Sequence, residues 1–206
     1  MKEKHMNKTI KGIAAPLSLA NIDTDVIMPK RFLITITREG LADGTFADLR
    51  FDSTGKKRPE FILNKAPWAQ ATILVVGDNF GCGSSREHAV WGMRQLGINA
   101  CIGTSFSGIF YDNARKNGLA LPIVSHEIRD TLLQFARNAS SAEISIELDS
   151  QTITAGEMSA SFKMDDATRT SLIQGRDDTL DTLKYAGAIH DFETRLGDKM
   201  RVSVIK

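Results

Sequence analysis

The sequence predicts an α/β fold, with a partly parallel sheet flanked by helices, a β-hairpin and a helical C-terminal segment. Three observations carry that expectation. Short apolar runs at 72–76 (TILVV), 99–106 (NACIGTSF) and 119–124 (LALPIV) have the length of buried strands. Between them lie stretches of helical periodicity that stop at Gly97 and Gly118. Strand, helix and strand in succession imply right-handed crossovers, which lay the strands parallel.

The elements follow in chain order. From Ile10 to Leu33 the chain alternates short apolar pieces with turn formers and shows no helical stripe, so strands and loops are expected. Residues 37–61 are rich in Gly, Asp, Lys and Arg and read as an excursion over the surface. After the strand at 72–76, Ala89, Val90, Met93 and Leu96 share one helical face. A further helix is expected over 126–139, followed by a hairpin in which Ile144, Ile146 and Leu148 alternate with polar residues. Helical pattern closes the chain from about Asp166 to Leu196. With 206 residues, no internal repeat and no low-complexity segment, the chain is expected to form a single domain over 1–206.

Composition narrows the function. A formal net charge of +1 offers no basic excess to neutralise phosphates, which argues against nucleic acid as a partner. The apolar runs fall far short of the ~20 residues that span a bilayer, and MKEKHMNKTIKG lacks the apolar core of a signal peptide, so a cytoplasmic protein without membrane attachment is expected. Cys82 and Cys101 are expected as free thiols in that reducing compartment. Two cysteines and four scattered histidines (His5, His88, His126, His190) offer no spaced metal set, so no cofactor bound by this chain alone is expected.

Chemistry concentrates in GDNFGCGSSREH, Gly77–His88, on a strand-to-helix turn. Ser84-Ser85-Arg86-Glu87 fits the S-x-x-E capping box, which accounts for Ser84 and Glu87. It leaves the coincidence of Gly81, Gly83, two hydroxyls and Arg86 unexplained. Free amides and the macrodipole at a helix start attract anions, and a guanidinium adds bidentate grip on a carboxylate or phosphate. Known nucleotide loops do not fit: no lysine precedes Ser84, and Arg86 stands where a dinucleotide fingerprint wants glycine. Cys82 as a nucleophile lacks a positioned base, His88 lying about a turn into the helix. A second constellation, NIDTDVIMPKRFL at 21–33, places Asp23 and Asp25 around Thr24, residues that also suit Asx turns.

Taken together, NIDTDVIMPKRFL, NFGCGSSREHAVW, FSGIFYDNARKNGL and GRDDTLDTL resemble, in order and spacing, the small subunits of 3-isopropylmalate dehydratase, the isopropylmalate isomerase of the aconitase superfamily. The resemblance covers essentially the whole chain. It implies a swivelling β/β/α domain that lies over an active site held mainly by a large subunit, whose three cysteines would carry a [4Fe–4S] cluster. It implies that Ser84 moves the carbon-bound proton, that Arg86 grips a carboxylate of a small dicarboxylate substrate with Ser85 assisting, and that Asp25 orients this pair with Asp23 behind it. The segment after the proline would recognise the substrate side chain: Phe32, Leu33 and Ile34 would enclose an isopropyl group, and Lys30 or Arg31 would hold a carboxylate. The reaction implied interconverts 2- and 3-isopropylmalate through an alkene in leucine biosynthesis. Related hydro-lyases acting on homoaconitate, citraconate or dimethylmaleate, and a non-catalytic anion-binding regulatory subunit, are the competing readings.

Overall fold

The computed structural model describes residues 8–33, 39–138, 142–175, 182 and 185–196. The chain divides into two compact units, Met1–Gly175 and Arg176–Lys206. The second unit contains a helix, Ala186–Leu196. The GRDDTLDTL stretch lies, apart from Gly175 and Thr182, outside the described residues.

The first unit is built on six strands: β1 (Thr9–Leu17), β2 (Ile73–Val76), β3 (Ala100–Ile102), β4 (Glu143–Glu147), β5 (Thr152–Ala155) and β6 (Met158–Ser161). They form one sheet in the order β3-β2-β1-β4-β5-β6. β1 belongs to both halves. Its C-terminal part pairs parallel with β2, from Ala14 opposite Ile73 to Leu17 opposite Val76. Its N-terminal part pairs antiparallel with β4, from Thr9 opposite Glu147 to Ile13 opposite Glu143. β3 continues the parallel half, and β5 and β6 continue the antiparallel half, so the expected hairpin extends to a third strand.

The residues of β2 explain the layering. All four are fully buried, as a parallel strand covered on both faces requires. Leu74 and Val76 face one core cluster with Ala15, Leu17 and Cys101. Ile73 and Val75 face the other with Ile10, Ala14, Ala100 and Ile102. Helices α4 (Glu87–Gln95) and α5 (Gly108–Lys116) supply Ala89, Val90, Met93, Phe110 and Ala114 to the first cluster. Helices α6 (His126–Arg137) and α7 (Asp166–Gln174) supply Leu132, Leu133, Ala136 and Leu172 to the second.

Three segments differ from the sequence expectation. The run 119–124 lies beside β3 but forms isolated bridges rather than a strand, Ala100 with Ala120 and, just past β3, Gly103 with Ile123. Pro122 stands between them without an N–H, so the ladder cannot run through. The NIDTD segment, expected as strand or loop, forms the one-turn helix α1 (Thr24–Ile27), because the Asp23 side chain accepts from the Val26 amide at 2.8 Å. The expected surface excursion carries two further turns, α2 (Leu41–Gly44) and α3 (Ala47–Arg50), which drive Leu41 and Phe46 into the first cluster.

Candidate active site

The two constellations are sixty residues apart in sequence and adjacent in the fold. β1 and β2 are parallel neighbours, so the segments that leave their C-terminal ends, at Leu17 and Val76, start side by side. Open parallel sheets place ligands at this end. Backbone hydrogen bonds then zip the two segments together: the Asn21 amide to the Asp78 carbonyl at 2.8 Å, the Gly81 amide to the Ile22 carbonyl at 2.8 Å, and the Thr24 amide to the Cys82 carbonyl at 2.8 Å. The Thr24 hydroxyl adds a bond to the Ser84 carbonyl at 2.8 Å. Gly81 is required here, since it has a φ of +76° and an added Cβ would lie 2.3 Å from Phe110 Cγ.

The zip delivers Asp25 to Arg86. Arg86 Nη1 donates to Asp25 Oδ1, and also to the Met28 carbonyl at 3.4 Å. The Arg86 side chain is only 10% exposed whereas Asp25 is 44% exposed, so the charge pair sits at the wall of the protein with its carboxylate toward solvent. Ser84 and Ser85 are exposed beside it. Asp23 is committed to capping α1.

The expected capping box does not form. Helix α4 begins at Glu87 with Arg86 at the N-cap position and no side-chain cap bond. Glu87 Oε1 instead accepts from Asn117 Nδ2 at 2.6 Å, and Asn117 Oδ1 accepts from Trp91 Nε1 at 2.8 Å. Asn117 at the end of α5 thus takes the glutamate that the motif would have turned back on Ser84. His88, the second residue of α4, packs its ring on Trp91 with centroids 4.8 Å apart. Cys101 is fully buried in β3, and burial pushes its thiol pKa up.

Downstream, Lys30 and Arg31 are exposed and open the short 3₁₀ turn Lys30–Phe32. Arg31 is engaged by Asp48 in α3 through two bonds of 2.5 and 3.2 Å. This hydrogen-bonded pair lowers the Asp48 pKa and raises that of Arg31. Phe32 and Leu33 are half-buried against the first core cluster, and an added Cβ on Gly44 would lie 2.7 Å from Phe32 Cγ. Ile34 lies outside the described residues. Among the described residues, no group of three or more His, Cys, Asp or Glu side chains gathers as a metal site would need.

Comparison with known proteins supplies what geometry alone does not. The model of the aconitase C-terminal domain matches residues 4–127. The 3-isopropylmalate dehydratase small subunit of Sinorhizobium fredii is 48% identical over 191 residues, 91% of this chain and 95% of the relative. The chain belongs to the family of 3-isopropylmalate dehydratase small subunits. Another member, the 3-isopropylmalate dehydratase small subunit 2 of Salmonella typhimurium, is 47% identical over 186 residues, 90% of this chain and 89% of the relative. The crystal structure of 3-isopropylmalate dehydratase from Methanocaldococcus jannaschii superposes with a TM-score of 0.64 at 26% identity, covering 89% of this chain and 98% of that one.

In this small-subunit family member, sequence reasoning had named Asp23, Asp25, Ser84, Ser85 and Arg86, and the structure brings them to one edge. Three supporting residues lie outside that set: Thr24, which bonds the Ser84 carbonyl, Asp48, which holds Arg31, and Asn117, which holds Glu87. Thr24 carried a signal, standing between the two aspartates. Asp48 and Asn117 carried none, since their partners are set by the packing of α3 and α5.

Proposed function

We propose that this chain is the small subunit of a 3-isopropylmalate dehydratase, a hydro-lyase that interconverts 2- and 3-isopropylmalate in the cytoplasm as a step of leucine biosynthesis. Residues 1–206 act as a single swivelling domain over the active site of a large subunit. The observation that carries the reading is the Asp25–Arg86 pair at the exposed serines of the loop after β2, in a chain 48% identical to a curated small subunit. The large subunit holds the [4Fe–4S] cluster, which when bound supplies a Lewis acid for the departing hydroxyl.

Each residue then has a task. Both described bonds of the Arg86 guanidinium use Nη1, and a guanidinium has five N–H donors, so donors remain for a substrate carboxylate. Asp25 fixes the plane of that guanidinium. Ser84 takes the carbon-bound proton; the electron pair of that C–H bond becomes the double bond of 2-isopropylmaleate as the hydroxyl on the adjacent carbon departs with the C–O pair, and Ser84 returns the proton when water adds at the other carbon. A serine oxygen can do this only as an alkoxide, whose charge the nearby guanidinium stabilises. Ser85 assists at the carboxylate, and Asp23 holds α1 behind Asp25. The half-buried Phe32 and Leu33 meet the isopropyl group, and Lys30 holds a carboxylate. The pairing of Arg31 with Asp48 leaves Lys30 as the freer cation of the two.

The test is reconstitution: the purified chain is mixed anaerobically with a 3-isopropylmalate dehydratase large subunit, and interconversion of the two isopropylmalates is followed. Turnover of isopropylmalate, above that of homoaconitate, citraconate or dimethylmaleate, is expected. Preference for one of those acids would move the assignment to a sister hydro-lyase, and a complex that binds dicarboxylates without turnover would make the chain a regulatory subunit.

A further inference from the structure

Thr24 is 2% exposed, one of three buried polar side chains among the described residues. Both of its donors cross to the serine loop. Its amide bonds the Cys82 carbonyl and its hydroxyl bonds the Ser84 carbonyl, each at 2.8 Å. These acceptors flank Gly83, which has a φ of +92° and lies close enough that an added Cβ would be 3.4 Å from Asp23 Cβ and 3.5 Å from Thr24 Oγ1. Attachment at two carbonyls, two residues apart, fixes the rotation of the intervening peptides as well as their position. Ser84 is thereby held with its carbonyl turned toward buried Thr24 while the residue itself is exposed. Thr24 is also the first residue of α1, whose next residue is Asp25, so one residue references both Ser84 and the carboxylate that holds Arg86.

We propose that Thr24 is a positioning residue for the reaction: its hydroxyl sets the Ser84 backbone, and through it the place of the serine oxygen relative to Arg86. This rests on the role given to Ser84 above. Thr24 itself touches no reacting atom. Loss of its hydroxyl would act by misplacing Ser84, and misplacement by about 1 Å can cost on the order of 100-fold in rate.

The experiment uses the reconstituted complex with wild-type chain, Thr24→Val, Thr24→Ala, Thr24→Ser, Ser84→Ala and the Thr24→Val/Ser84→Ala double variant. Thr24→Val keeps the side-chain shape and should lower kcat at least about tenfold, with KM within about twofold of wild type. Thr24→Ser restores the hydroxyl and should restore kcat. In the Ser84→Ala background, Thr24→Val should add no further loss, since its effect runs through the missing oxygen. Thr24→Ala gives the same reading if the valine variant does not assemble. Wild-type kcat in either hydroxyl-free variant, failure of serine to rescue, or an undiminished Thr24→Val loss without the Ser84 hydroxyl would each overturn the proposal. A wild-type complex that turns over no isopropylmalate would instead overturn the reaction assignment, and the role of Thr24 with it.

Discussion

Ser84 lies three residues ahead of the first residue of α4 and caps nothing, which changes how its role can be measured. Alanine at an N-cap would cost ~1 kcal/mol of stability and blur the result. Here the bond that ties Ser84 into the site is made to its main-chain carbonyl, which alanine retains. Ser84→Ala should therefore change stability by less than about 0.5 kcal/mol, as at an ordinary surface position. Turnover in the complex should fall at least about 100-fold, the low end of a positioned acid or base. Melting and kinetics on one preparation check both, and near-normal turnover would move the proton to another group. Arg86→Lys should keep the charge but lose the planar fork, raising KM for isopropylmalate severalfold while the fold survives. At this scale the sequence showed which residue types carry chemistry but not which partners they take. Ser84 and Glu87 fit a capping box in sequence, but Asn117, brought in by a distant element, takes the Glu87 carboxylate, and the helix starts with Arg86 at its N-cap position.

The loop after β2 is held at its root by Asp78, which accepts from the Thr104 hydroxyl and from Arg129 Nη1 at 2.8 Å, with His126 Nε2 at 3.3 Å. The Thr104 hydrogen bond, with the charges of Arg129 and His126 adding to it, holds the Asp78 carboxyl below its usual range. A carboxyl whose folded pKa is depressed contributes stability that is present above its unfolded pKa of about 4 and lost as pH falls through the folded value. Thermal melts from neutral pH downward should show this acid-side loss in the wild type, and Asp78→Asn should flatten that part of the profile. Three residues on, Gly81→Ala would force a side chain into a left-handed backbone and against the Phe110 ring. Strain of about 1–2 kcal/mol and overpacking of about 1–3 kcal/mol should add, lowering the denaturation midpoint at unchanged m-value. Helices α4, α5 and α6 and strand β2 were legible because their apolar residues repeat at the period of the element. The run at 119–124 misled because apolar content says nothing about donors, and Pro122 withholds one. The turns α2 and α3 were missed because single buried residues, Leu41 and Phe46, make no periodic stripe.

On the scale of the whole molecule, the chain presents a charge pair and exposed serines at the open end of its parallel strands but gathers no metal-binding set among its described residues. Purified alone it should be colourless and inactive, with activity appearing on anaerobic addition of the large subunit. Iron-independent turnover by the isolated chain would refute this division of labour. The meeting of NIDTD with GCGSSRE was not visible in the sequence itself, because it follows from β1 and β2 being neighbours in the sheet. That same strand order sets a timetable for synthesis. The parallel partner of β1 emerges from the ribosome after about sixty further residues, but its antiparallel partner, at Glu143–Glu147, only after well over a hundred. Until then the Thr9–Ile13 stretch is an open edge available to any other extended chain, the exposure that slow, long-range pairing carries with it. A nascent chain stalled before residue 143 should be held by chaperones or aggregate, whereas one stalled with residue 161 well clear of the exit tunnel should resist protease throughout its sheet.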